Sequence, residues 1–184
     1  MFHVGIAALV IAVLVVGFLI YASTKPDAFR YARTARINAA PEAIFPLIND
    51  YRNWVQWSPY EHRDPAMKRT YSGAPSGPGA IYEWDGNKNV GSGRMEILDA
   101  TPNKITIKLD FYAPFKANNI AEFSLVPHGN ATDVTWAMSG PVPFIGKMMG
   151  VLIDCDKMCG KDFSAGLASM KEVAERKLVQ QNAA

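Results

Sequence analysis

The sequence predicts an α+β fold: a curved antiparallel sheet of about seven strands wrapped on a long C-terminal helix, with two short helices after the first strand, plus one N-terminal transmembrane helix. Three observations carry this. An uncharged, proline-free run fills Val4 to Ala22. Short segments of alternating polarity follow one another from Met67 to Ser139, separated by Gly, Pro and Asn turns. An apolar stripe at three- and four-residue spacing then runs from Met148 to Ala174.

The first run, VGIAALVIAVLVVGFLIYA, is about 19 residues; at about 1.5 Å per residue it spans about 28 Å, close to the bilayer's hydrocarbon core. Tyr21 stands where an interfacial aromatic belongs. Lys25, Arg30, Arg33 and Arg36 follow the run, whereas only His3 and the α-amino group precede it. The positive-inside rule therefore places the globular part in the cytoplasm, with the three arginines against anionic headgroups. A cleaved signal would show a basic start, a shorter core and a small residue where Ile20 stands. The chain divides into an anchor over 1–23, a linker over 24–28 broken by Pro26, a domain over 29–178 and a frayed tail over 179–184.

The formal charge of +2 gives no footprint for nucleic acid. Cys155 and Cys159 are the only cysteines, spaced i, i+4, and read as small core residues rather than a zinc or redox pair. No motif for a metal or cofactor is present.

Within the domain, Phe29 to Ala39 partly alternates and reads as a strand. Pro41 suits the first turn of a short helix with Ala43, Ile44, Leu47 and Ile48 on its apolar face, and Pro46 keeps it short or kinked. A second short turn covers Asn53 to Trp57 and ends at Ser58-Pro59. Strands follow at Met67–Ser72, Ala80–Asp85, Gly93–Ala100, Lys104–Tyr112, Asn119–Val126 and Thr132–Ser139. The last segment is one continuous helix whose stripe runs through Met148, Leu152, Cys155, Cys159, Phe163, Leu167, Met170 and Ala174. Gly150, Gly160 and Gly166 within it mark close packing or spare room.

Strand parity sorts the sheet's two faces. One carries Tyr82, Trp84, Met95, Ile97, Ile105, Ile107, Leu109, Phe111, Phe123, Leu125, Val134, Trp136 and Met138. The other carries Glu83, Asp85, Arg94, Glu96, Lys108, Asp110, Glu122, Asp133 and Thr135, with Arg94 pairing a cross-strand carboxylate.

This order, with the strings INAAPEAIFPLINDYRNWVQWSPYE (Ile37–Glu61), YEWDGNKNVGSGRMEI (Tyr82–Ile97), TDVTWAMSG (Thr132–Gly140) and GKDFSAGLASMKEVAE (Gly160–Glu175), resembles the SRPBCC superfamily. That is the helix-grip fold shared with START lipid-binding domains and pollen-allergen-like proteins. The chain is most similar there to bacterial proteins labelled polyketide cyclase/dehydrase. The resemblance covers nearly all of the soluble part. It implies a cavity between sheet and long helix that often holds an apolar ligand, and a bacterial inner membrane for the anchor.

No GxSxG, HExxH, P-loop or GxGxxG is present. His62 and His128 read as exposed loop and turn residues, Asp154 and Asp156 as helix-surface charges. No catalytic residue is assigned. The ligand-binding set is Trp54, Trp57, Tyr82, Trp84, Met95, Phe111, Phe123, Trp136, Met138, Phe163 and Leu167, large adaptable side chains whose Tyr and Trp polar tips orient a ligand. A closed core built from the same residues is the alternative. Three functions follow: a membrane-tethered domain holding an apolar or amphipathic small molecule, lipid- or quinone-like; a cyclase, dehydratase or hydrolase on an apolar substrate; or an interaction module with a filled core and an unknown protein partner.

Overall fold

The computed structural model describes the backbone of residues 2–182 and the side chains of that span except those of residues 2–4, 7–8 and 177–182. The expected N-terminal helix is α1 (Phe2–Ser23). Among the described residues no helix is long and apolar enough to cross a membrane. His3's side chain lies outside the described set, as do residues 183 and 184 of the expected tail.

The sheet has seven strands: β1 (Ala28–Ile37), β2 (Lys68–Gly73), β3 (Ala80–Asp85), β4 (Ser92–Thr101), β5 (Lys104–Ala113), β6 (Ala117–His128) and β7 (Ala131–Pro141). Their order is β1-β7-β6-β5-β4-β3-β2, and every neighbouring pair is antiparallel. Short turns make this order: each strand from β2 onward pairs with the next, and β1 closes onto the last. Register shifts at Ser92/Gly93 and Ile97/Asp99 in β4 bend the sheet.

Three short helical segments follow β1, not two: α2 (Pro41–Asn49), a 3-10 helix (Tyr51–Gln56) and α3 (Pro59–Arg63). Ser58-Pro59 opens α3 instead of ending the turn before it, because a proline at the first helical position loses no intrahelical hydrogen bond. The 3-10 helix closes the end of α2. The last carbonyls of a helix have no partners of their own. Here Asn53 Nδ2 donates to Pro46 O at 2.9 Å, Trp57 Nε1 to Leu47 O at 2.7 Å and Trp54 Nε1 to Ile48 O at 3.0 Å. The Gly77 amide donates to Asn49 O at 2.9 Å. Two tryptophans are thereby fixed between α2 and the sheet.

The terminal segment is two helices, α4 (Phe144–Leu152) and α5 (Cys155–Asn182), not one. Ile153 is extended, and Asp154 Oδ1 accepts the Lys157 amide at 2.9 Å, so an aspartate cap starts a new helix. The expected stripe splits with it. Phe163, Leu167, Met170 and Ala174 are in the core, whereas Leu152 is 76% exposed and Met148 only half-buried. Two glycines of α5 permit close packing. A Cβ on Gly166 would lie 2.7 Å from the Trp136 ring, and one on Gly160 would lie 1.9 Å from the Arg33 guanidinium.

The apolar strand face is buried or half-buried throughout, as parity predicts. The other face departs at two points. Asp110 is buried, accepting from Asn118 Nδ2 at 2.6 Å and pairing Lys108 at 2.9 Å. Arg94 pairs Glu96 on its own strand at 2.8 Å rather than a cross-strand partner. Arg33 and Arg36 are not free for headgroups either: each forms a two-pronged pair, with Asp156 and Asp133 respectively.

Candidate ligand cavity

Between the sheet and the N-terminal part of α5 lies a cavity of about 330 Å³, within the range of small-molecule sites. Its existence follows from a gradient along the strands. Ile105 and Ile107 on β5, Val134 on β7 and Ile97 on β4 are fully buried, but Phe111 and Met138, farther along, are only half-buried. On α5 the same trend runs from fully buried Ala174 and Met170 to half-buried Cys159. The apolar face of the sheet extends past the part the helix presses against, and the uncovered remainder is the cavity.

Eight of the eleven expected residues line it: Trp54, Tyr82, Trp84, Met95, Phe111, Trp136, Met138 and Phe163. Trp57, Phe123 and Leu167 do not; all three are buried in the closed core. Stacked rings join the two regions. Phe123 stacks on Trp136 at 5.1 Å between centroids, and Trp136 on Phe163 at 4.4 Å. On the opposite wall Tyr82 stacks on Trp84 at 6.1 Å, and Trp84 meets Phe111 edge-on at 5.7 Å. A Cβ on Gly93 would lie 2.4 Å from the Trp84 ring, so that glycine gives the indole its place.

Three of the expected polar tips are committed elsewhere. The indole N–H groups of Trp54, Trp57 and Trp84 donate to the backbone carbonyls of Ile48, Leu47 and Val90. The polar group at the cavity is one the sequence reasoning missed, Glu61 of α3. It is buried, lines the cavity, and holds Tyr82 Oη at 2.6 Å and Arg69 Nε at 2.6 Å. Arg69 is further fixed by the carbonyl of Met67 at 2.7 Å. Burial, and then the hydrogen bond to Glu61, push the Tyr82 hydroxyl's pKa up, so it stays protonated and donates. Ser58 and Tyr60 also line the cavity. Tyr60 is pushed up too, by burial and then Asp162.

The other candidates lie outside. His62 is exposed on α3 and does not line the cavity. His128 ends β6, exposed, 3.1 Å from Asp133. Asp154 caps α5 and Asp156 pairs Arg33. Cys159 reaches the cavity wall, but burial raises its thiol's pKa and keeps it protonated. Both cysteines are free and half-buried. Among the described residues no group of His, Cys, Asp and Glu could hold a metal.

Residues 28–175 match the family model described as polyketide cyclase / dehydrase and lipid transport. No curated protein sequence matches the chain. Among solved structures, a Thermobifida fusca protein determined by NMR aligns with TM-score 0.61 at 18% identity, covering 80% of this chain and 93% of that one. The Aha1 dimer from Colwellia psychrerythraea aligns with TM-score 0.56 at 15% identity, covering 80% and 96%. Ara h 8.0201 aligns with TM-score 0.54 at 9% identity, covering 81% and 99%. At these identities the likeness establishes a shared fold, the helix-grip arrangement of sheet and C-terminal helix.

Proposed function

The chain belongs to the polyketide cyclase / dehydrase and lipid transport family, and from that premise we propose that it is a membrane-tethered domain that holds an apolar or amphipathic small molecule, lipid- or quinone-like, between its sheet and α5. The observation that carries this is the cavity itself. Its walls are mostly aromatic and aliphatic; Glu61, with Tyr82 donating to it, is the buried charge among them, and Ser58, Lys88 and Asn89 are further polar members. Binding is by burial, worth about 25 cal/mol per Å² of apolar area before the costs of ordering. A ligand hydroxyl or amide would find an acceptor in the carboxylate of Glu61, so a molecule with an apolar body and one hydrogen-bond donor fits best.

The tether is α1. Its run from Val4 to Ala22 carries no charge and no proline, and its described aliphatic side chains from Leu9 to Ile20 are exposed, an arrangement costly in water. Lys25 lies over the Tyr21 ring and its Nζ donates to the Tyr21 hydroxyl oxygen at 2.7 Å, a pairing suited to a headgroup boundary. With Lys and Arg concentrated after α1, the domain faces the cytoplasm from a bacterial inner membrane.

The test is photolabelling. The full-length chain in lipid nanodiscs is irradiated with a diazirine fatty acid and the adducts are mapped by peptide. Adducts on β5 and β7 around Phe111 and Met138, fewer in Trp84→Ala, support the reading. Adducts confined to α1 contradict it.

One observation favours a second reading, an enzyme on an apolar substrate. The Glu61 carboxylate, buried at the cavity and accepting from the Tyr82 hydroxyl, is placed to take a proton from an apolar substrate, as a general base of cyclisation or dehydration does. Conversion of the retained molecule by the wild type but not by Glu61→Gln would establish it.

A further inference from the structure

We infer that α4 is an interfacial helix, lying in the bilayer surface beside α1 with Ile145, Met149 and Leu152 in the lipid, and that it holds the mouth of the cavity against the membrane. This rests on the proposed anchoring of α1 and deepens it. The sequence FIGKMMGVL of α4 contains a single charge and no buried residue. Ile145 is 70% exposed and Leu152 76% exposed, with Phe144, Met149 and Ile153 also exposed. A helix this apolar that leaves its large aliphatic side chains exposed is built for another solvent.

What covers it is indicated by its neighbour. α4 packs against α1. On the described part of α1, only Phe18 and Ala22 are shielded, half-buried and fully buried respectively. Those positions lie within about 8 Å of α1's C-terminal end at about 1.5 Å per residue. Interfacial helices sink about 5–10 Å below the headgroups, the same depth. The lone charge is accounted for: Lys147 is largely buried and pairs Asp27 in the linker after α1, and the Val142 amide donates to Asp27 O at 2.7 Å. Asp27 thus ties α4 to the base of the anchor and turns its charge away from the exposed face.

The register places the cavity at the same end. Ala28 pairs Pro141, Phe111 pairs Ala117 and Ser92 pairs Ala113, so the linker, α4 and the turns at 86–91 and 114–116 share one end of the sheet. The cavity is lined by Val90, Gly91 and Pro114 from those turns. Phe115, 76% exposed, projects beside them. A lipid-dissolved ligand would reach the cavity without crossing bulk water.

The experiment uses the full-length chain in phosphatidylglycerol/phosphatidylethanolamine nanodiscs, with and without brominated lipid, and three tryptophan substitutions at exposed positions: Ile145→Trp, Leu152→Trp and, at the far end of the sheet, Val126→Trp. The native tryptophans are the wild-type background. Loss of the added emission in brominated discs for Ile145→Trp and Leu152→Trp, with none lost for Val126→Trp, is expected. Emission unaffected at all three positions, in a chain that resists alkaline carbonate extraction, would overturn the inference and leave the anchor standing. Unaffected emission with two chains counted per disc would assign the face to a second copy. Release of the chain by carbonate would overturn the anchoring and the inference with it.

Discussion

The two ends of the space between sheet and helix are made of the same kinds of residue and behave differently. At the closed end Ile97, Ile105, Leu125 and Val134 meet Leu167, Met170 and Ala174 with no exposure above 1%. At the open end Trp84, Phe111 and Met138 face half-buried Cys159 and a cavity. Hydrophobicity does not separate them; coverage does. Gly166 lets α5 press against Trp136, and beyond that point the helix stops at the Asp154 cap and the chain leaves in α4. Closed-end residues should therefore govern stability and open-end residues occupancy.

Tryptophan truncation separates the two most strongly. Trp57, fully buried with its indole donating to Leu47, should cost about 3–5 kcal/mol as Trp57→Ala in denaturant unfolding. Trp84→Ala at the open end should cost about 1–2 kcal/mol and act mainly by weakening ligand retention. Equal stability losses would erase the distinction. Next, Tyr82→Phe removes the donor to Glu61 and leaves one buried carboxylate oxygen unpaired, costing about 1–2 kcal/mol in the same assay.

The smallest effect is a pH dependence outside both regions. Burial pulls the Asp110 carboxyl up, but hydrogen bonds from Asn118 and Lys108 outweigh it and hold its pKa below the ordinary value of 3.8. A depressed folded pKa contributes stability that is complete above the unfolded value and lost as pH falls through the folded one. Asp110→Asn should therefore be less stable than wild type at neutral pH by under about 1 kcal/mol, the gap narrowing below about pH 4 in acid-unfolding curves. A gap that widens on acidification would contradict the assignment.

Much of this was legible in the sequence, because period-two alternation reports which face a residue occupies. Every residue placed on the apolar face lies there. Parity does not report depth along a strand, so Phe123 in the closed core and Phe111 at the cavity looked alike. Glu61 was missed because YEHRDP reads as a polar loop; it becomes a buried helix residue only when Arg69 and Tyr82 converge on it. The break between α4 and α5 was hidden by an apolar period that continues across it. The aspartate at 154, a good N-cap, was the available signal. The strings at Ile37–Glu61 and Gly160–Glu175, which carry the resemblance in the sequence, lie inside the residues 28–175 that the family model matches.

The most direct test of the account is native mass spectrometry of the full-length chain purified from its host membrane, wild type beside Ala121→Trp, which fills the cavity from β6. The account predicts a stoichiometric apolar molecule on the wild type, absent from a folded Ala121→Trp. An empty wild type, or equal retention by both, would contradict it.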